Sequence, residues 1–286
     1  MLKNIKTFLN QDNAAYITIF GYLVFFNIFV LKLTPELLFL QFLIITVAFK
    51  RSQKSQFIKD WIIYIALFLL YEFLRGVVDD ISPFYNYVLY WAHYAEAIIF
   101  PELPTLFLQK YFLNNLPVLY VSFLFYTSFF YYPFVIGYVI WVNKRELFHM
   151  YFKHFMIVSY IGLLFYFILP TAPPWFVNNS IELGINRSIF MDSIINTFKG
   201  FAFFSYFVNG NPVAAYPSLH TAWTAFTSFF IIEHFGKKYW FTIIVPIMVG
   251  FSVVLTGEHY VIDVVAGLLL AYLIVRSTKK FTYNYQ

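Results

Sequence analysis

His259 and Asp263 stand four residues apart in Thr256-Gly-Glu-His-Tyr-Val-Ile-Asp263, a stretch bounded by apolar runs. On a helix that spacing puts both side chains on one face, a turn apart. A carboxylate so placed can hold one imidazole nitrogen and leave the other free to attack or to move a proton. Upstream, Pro217-Ser-Leu-His220 opens another apolar run and brings a second imidazole. Two imidazoles and one carboxylate suit a double displacement at phosphorus. His259, held by Asp263, attacks the phosphorus; His220, protonated, donates to the leaving oxygen and then takes a proton from the incoming water or alcohol. Charge developing on the phosphoryl oxygens needs fixed donors. Ser218 and the backbone N–H groups of a helix starting near Pro217 supply them, and proline at a helix start sacrifices no hydrogen bond. Taken alone, His259 and Asp263 also read as a polar tie between helices in lipid. A second histidine on the same membrane face favours chemistry, because ionisable groups in a membrane are costly to keep.

The elements that position these residues are membrane helices. The 286 residues are 61% hydrophobic and only 12% charged, with 39 Phe and 24 Tyr, whereas a soluble domain is about a quarter charged. Apolar runs near the ~17–25 residues that cross hydrocarbon recur at 14–31, 37–49, 58–74, 116–142, 147–169, 218–232, 239–256 and 260–275. The run over 87–112 is broken by His93, Glu96, Glu102 and two prolines, so it lies along the interface or re-enters among other helices. An interfacial helix is expected around 189–207. Pro170-Thr-Ala-Pro-Pro-Trp175 stops the preceding helix abruptly; it shapes the mouth of the site and anchors Trp175 at the interface. No cysteine is present, so neither a disulfide nor a thiolate site is available.

Charge sorts these runs. Suppose the N-terminus, the 50–59 loop, the 143–153 turn, Gly236-Lys-Lys238 and the C-terminal tail all face the cytoplasm. They then carry 14 of the 19 Lys and Arg, while 10 of the 14 Asp and Glu fall on or near the other side. A Lys/Arg bias in short loops sets orientation. Eight spans result, with both termini cytoplasmic, in a cell-membrane protein. Arg75, PTAPPW, PSLH and GEHY all fall at the outer, extracytoplasmic helix ends. The basic residues are thus accounted for by topology and do not call for nucleic acid. The expected division is an N-terminal tail, hairpin and basic loop over 1–57, a catalytic membrane domain over 58–276 and a tail over 277–286. His149, His154 and His234 fall at the inner face and His93 in the interfacial segment; none of the four is assigned chemistry.

PSLH followed by HYVID resembles the second and third signatures of the type 2 phosphatidic acid phosphatase superfamily. PTAPPW, NPVAAYPSLH and TGEHYVIDVVAG resemble, more narrowly, the branch that includes fungal inositol phosphorylceramide synthase and its bacterial and archaeal relatives. YEFLRG and PELPTLFLQ look like segments of the prokaryotic members. The resemblance implies an all-α integral membrane protein: a six-helix core, to which the N-terminal hairpin is an addition (about eight spans in all), with interfacial helices. It implies His259 as nucleophile, Asp263 as its orienter and His220 as general acid and base. It implies a phospholipid substrate, phosphatidylinositol-like or phosphatidate-like, with a lipid alcohol or water as acceptor; no carboxylate cluster or Cys/His array in the chain calls for a metal, and no cofactor is expected.

The chain departs from that superfamily's pattern where phosphate is gripped. The KxxxxxxRP signature is absent, and Ser252-Val253 stands where Ser-Arg is usual six residues before the nucleophile. Arg75 is the expected replacement, with Arg187 and Lys199 as loop alternatives. Glu258 can raise the affinity of His259 for a proton or contact an acceptor hydroxyl, and Tyr260 is a further substrate-binding candidate; Glu96 is considered for the same work and not adopted. Two rival readings remain: a transporter with a His/Asp proton relay, and a catalytically silent lipid-binding relative.

Overall fold

The computed structural model describes residues 54–188 and 211–282. The runs at 14–31 and 37–49, the interfacial helix expected at 189–207 and Lys199 lie outside the described residues. By internal contacts the chain divides into two units, Met1–Ala66 with Ile195–Val208, and Leu67–Ile194 with Asn209–Gln286. Of the first, only 54–66 is described, where Phe57 stacks on Trp61 with ring centres 5.3 Å apart. The second holds every candidate site residue described below.

Helix α1 (Lys54–Arg75) is followed by two single turns, α2 (Val78–Ile81) and α3 (Tyr85–Val88). Then come α4 (Trp91–Ile99), α5 (Pro104–Phe112), α6 (Leu116–Asn143), α7 (Arg145–Ile168) and α8 (Pro174–Ile181). Beyond residue 211 lie α9 (Leu219–Phe235), a 3-10 segment (Lys237–Ile243) leading into α10 (Ile244–Leu255), and α11 (Val261–Thr282). Among the described residues there is no β-strand, only an isolated parallel bridge between Thr171 and Ala214.

Each apolar run predicted after residue 58 is a helix here. Among the described residues, four stretches are long and apolar enough to cross a membrane: α6, α7, Lys237–Leu255 and Val261–Thr278. Helix α9, with 17 residues, rises ~25 Å at 1.5 Å per residue, somewhat short of the ~30 Å hydrocarbon core. The broken run over 87–112 forms no helix long enough to cross. Its two nine-residue helices, α4 and α5, are each only ~14 Å long. On α11, Val265, Leu269, Tyr272 and Leu273 form an exposed apolar stripe, the pattern expected of a face in lipid.

Aromatic rings fill the centre of the second unit. Phe68 of α1 meets Phe134 of α6 edge-on at 5.0 Å and Trp223 of α9 at 5.8 Å. Phe155 of α7 packs on Trp223 at 5.2 Å, and Tyr151 lies against Phe230 at 5.1 Å. Hydroxyls tie the helices where they cross: Tyr160 Oη donates to the Leu67 carbonyl and Tyr151 Oη to that of Pro133, both at 2.8 Å. Helix α9 packs on α11, α10, α6 and α7, so it is the hub about which the others are arranged.

One glycine sets the closest of those approaches. A Cβ on Gly267 of α11 would stand 2.4 Å from the Ser218 carbonyl oxygen and 3.3 Å from the Ala222 nitrogen. Only a residue without a side chain lets α11 lie against the first turn of α9. That contact brings the helix that starts just after His259 beside the helix that carries His220.

Candidate active site

Helix α9 begins where its sequence says it must. Ser218 is the N-cap, its hydroxyl accepting the Thr221 N–H, and its own N–H donates to the Asp263 carbonyl at 3.0 Å. His220 therefore sits in the first turn, at the edge of α11. Its ring rests on Phe129 at 4.0 Å and near Tyr126 at 4.9 Å, both from α6. The Ser218 hydroxyl, expected to face phosphate, is fully buried and engaged with Thr221.

His259 lies in the short link between α10 and α11. Thr256 and Gly257 end α10, with Gly257 at φ +79°, a left-handed value that glycine adopts without strain. The N–H groups of Glu258 and His259 then both donate to the Val253 carbonyl, at 3.0 and 3.1 Å. Val253, standing where the related pattern has arginine, is buried and serves through its backbone.

The imidazole of His259 is held at both nitrogens. Nδ1 is 2.8 Å from the Ala215 carbonyl oxygen and Nε2 is 2.9 Å from His220 Nδ1. A carbonyl can only accept, so His259 Nδ1 carries a proton. In the neutral ring Nε2 then presents its lone pair and receives the Nδ1–H of His220. Asp263 Oδ2 lies 3.5 Å from His259 Nδ1 and accepts the Tyr260 N–H at 2.8 Å. The carboxylate is thus close enough to stabilise positive charge on the ring, while the nearer oriented contact comes from Ala215.

The PTAPPW corner explains why Ala215 is in place. Thr171 N–H donates to the Val213 carbonyl at 2.8 Å and Ala215 N–H to the Thr171 carbonyl at 3.2 Å. Trp91 Nε1 holds the Thr171 hydroxyl at 2.8 Å, and Trp175 N–H donates to the Gly257 carbonyl at 3.1 Å. One corner therefore docks both segments that flank His259. Its proline-rich sequence reads as a helix stop; its backbone role depends on residues about 40 and 85 positions later, and no local pattern announces it.

Two guanidinium groups stand around the histidines. Arg75 is paired with Glu72 at 2.9 Å and lies within electrostatic reach of His220, Tyr126 and Tyr166. Arg187 grips Glu258 through Nε and Nη2, at 2.5 and 3.2 Å, and stacks over the Trp175 ring at 4.0 Å. Tyr126 feels Arg187 and Glu258 as well as Arg75. Trp175, expected as an interfacial anchor, thus also backs an arginine. The loop carrying Arg187 is pinned by Gln109 of α5, which donates to the Asn186 and Leu255 carbonyls at 2.7 and 2.9 Å and accepts the Asn186 N–H at 2.9 Å.

The remaining candidates fall elsewhere. The Tyr260 ring is buried, 6.5 Å from that of His93. His154 bonds the Met150 carbonyl, and His234 the Thr278 hydroxyl. Among the described residues no group of three or more His, Cys, Asp or Glu is arranged to hold a metal ion. Ala215, Gln109 and the Arg187–Glu258 pair are the contributors that sequence reasoning missed or underweighted.

Comparison with known proteins bears on the same segments. The PAP2 superfamily matches residues 100–276, which is more than half of the chain. A phosphoinositol dihydroceramide synthase from Bacteroides thetaiotaomicron is 30% identical over 163 residues, 49% of this chain and 49% of the relative. The chain thus spans about half the length of the curated relative it matches. No solved structure matches it.

Proposed function

The chain belongs to the PAP2 superfamily, and on that premise we propose that it is a lipid phosphotransferase working through a phosphohistidine on His259. The donor is a phospholipid of the phosphatidylinositol kind, whose phospho-polyol passes to a lipid alcohol; from a phosphatidate-like donor the group passed is phosphate itself. His259 Nε2 attacks phosphorus while the bond to the leaving alkoxide breaks. His220, as imidazolium, gives that oxygen its proton. The acceptor hydroxyl then attacks the same phosphorus, passes its proton to His220, and the phosphorus–nitrogen bond breaks.

The observation that carries this reading is the hydrogen-bonded pair of imidazoles, with His259 held in one tautomer by the Ala215 carbonyl. A lone pair on Nε2 is what an attack on phosphorus requires. Asp263 steadies the cation that forms as the ring becomes phosphorylated. Arg75 and Arg187 take the place of the missing signature cations on the phosphoryl oxygens. Ser218 caps α9, and its hydroxyl reaches a phosphoryl oxygen only by leaving Thr221. Glu258 holds Arg187 toward the site, and Tyr260 supports the link beneath His259. The charge bias of the loops supports an extracytoplasmic face for this chemistry and cytoplasmic termini.

Water as acceptor gives the second reading, a lipid phosphate phosphatase, which shares the first half-reaction. Purified protein is assayed on labelled phosphatidylinositol and on labelled phosphatidate, with and without a lipid alcohol. Label in a new lipid only when the alcohol is present marks the transferase. Release of free phosphate from phosphatidate regardless of alcohol marks the phosphatase. pH-driven flux in liposomes without any turnover would replace both with a transporter.

A further inference from the structure

Glu96 of α4 has no part in the machinery above, yet it is fully buried. Its Oε1 accepts the Val261 N–H at 2.6 Å, and its Oε2 is buried without a hydrogen-bond partner. Asp263 repeats the arrangement one residue earlier: Oδ2 accepts the Tyr260 N–H at 2.8 Å, and Oδ1 is buried without a partner. Two carboxyl groups from different segments thus occupy consecutive backbone N–H groups at the start of α11. Each keeps one oxygen in reserve.

The groups facing Glu96 are Asp263 and the Tyr260 phenol from the α11 side and His93 on α4 itself, with His259 beyond Asp263. Among the described residues that act electrostatically on Glu96, none is a cation. Burial holds His93 below the usual imidazole value, so it is neutral at pH 7 and offers no counter-charge. Two buried carboxylates that take consecutive backbone N–H groups and feel each other's charge resist ionising together. Burial pushes the Glu96 carboxyl up to about 7, against the pull of the Val261 N–H. The pair therefore shares one proton. It settles on Glu96, because Asp263 has the His259 ring 3.5 Å away to stabilise its charge.

We propose that Glu96 is a positioning residue whose protonated carboxyl holds the start of α11 and leaves the pair's single negative charge on Asp263, beside His259. Its consequence for turnover rests on the phosphotransfer reading; the location of the proton does not. A neutral Glu96 has an O–H to offer the unpartnered oxygen of Asp263. An ionised Glu96 puts a second negative charge there instead and withdraws that O–H from Asp263.

The test compares Glu96→Gln and Glu96→Ala with wild type in the full-length protein. Glutamine keeps an oxygen for the Val261 N–H and never ionises. Infrared titration should show a protonated-carboxyl band in wild type that disappears near pH 7 and is missing from Glu96→Gln. Glu96→Ala should lose about tenfold or more in kcat, as misplacement of a reacting group does, and Glu96→Gln should recover most of that loss. The alkaline fall of kcat should move to higher pH in Glu96→Gln. An unaltered pH profile in Glu96→Gln, or the absence of the band from wild type, would overturn the proposal. A protein that shows the band but transfers no phosphoryl group supports the proton's place and contradicts the phosphotransfer reading instead.

Discussion

His220 Nδ1 lies 2.9 Å from His259 Nε2, and the Ala215 carbonyl at His259 Nδ1 dictates which ring donates. The lone pair proposed as nucleophile is therefore covered by the residue proposed as general acid. A phosphorus in position to be attacked needs ~3–3.5 Å of its own from Nε2, which that bond does not leave. Binding of a phosphoryl group has to part the rings. A structure with vanadate, which mimics phosphorus in flight, should show the metalate on Nε2 and the two imidazoles no longer bonded. Vanadate bound elsewhere with the histidine pair intact would contradict this.

Asp263 shares the orienting of His259 with a backbone carbonyl that no side-chain substitution removes. Asp263→Asn should accordingly lower kcat by about 10²-fold, short of the ~10⁴-fold that losing a sole orienter brings, with KM little changed. Steady-state kinetics decide it. A drop to the uncatalysed background would mean that Asp263 orients the ring alone.

Arg75 is paired with Glu72 through a fork of two N–H groups, Nε at 3.3 Å and Nη2 at 2.9 Å. If it also grips phosphate, Arg75→Ala should raise KM for the donor about tenfold, roughly one charge-assisted hydrogen bond. Arg75→Lys should restore little, since a point charge cannot reproduce the planar fork. Unchanged KM in both variants would remove Arg75 from the phosphate site and leave Arg187 to do the work.

Gly267→Ala puts a methyl group 2.4 Å from the Ser218 carbonyl. Backbone on both sides leaves nothing flexible to yield, so α9 and α11 must separate. Overpacking of this kind costs about 1–3 kcal/mol and here displaces His220 from His259 as well. The thermal midpoint in detergent and the turnover should fall together; a variant with normal stability and turnover would show that the two helices slide freely.

Glu96 also gives stability a pH dependence with a definite sign. In the fold its carboxyl keeps a proton up to about pH 7, against an ordinary value of 4.5. Between those values the folded chain binds a proton that the unfolded chain has released. Stability is then fully present below 4.5 and declines as pH rises to 7, by about 1.4 kcal/mol per unit. Between pH 5 and 7 the thermal midpoint of wild type should drop more than that of Glu96→Gln. Parallel curves would mean that Glu96 titrates as an exposed carboxylate.

Hydropathy and spacing carried the reading of helices and of chemistry a long way. The apolar runs after residue 58 became helices because burial of apolar surface is written residue by residue, and His220, His259 and Asp263 came together because they cluster at helix ends. The contacts that tune them were not legible. Ala215 acts through a carbonyl, which every residue has, and Thr171 reaches it through a bridge whose partner lies 43 residues further on. Glu96 meets Val261 across 165 positions, and its broken, polar-studded segment reads only as one that does not cross. Arg187 was visible as a cation, but Glu258 and Trp175 as its supports are a product of packing.

The phosphohistidine itself is the most direct test. Purified protein is mixed with donor lipid labelled in its phosphorus, quenched in alkali, where a phosphorus–nitrogen bond survives, and digested for mass spectrometry. The account predicts label on the peptide containing His259, formed without acceptor and discharged when the lipid alcohol is added. It predicts no label and no turnover in His259→Ala. Turnover that persists in His259→Ala, or label on any other residue, would contradict it.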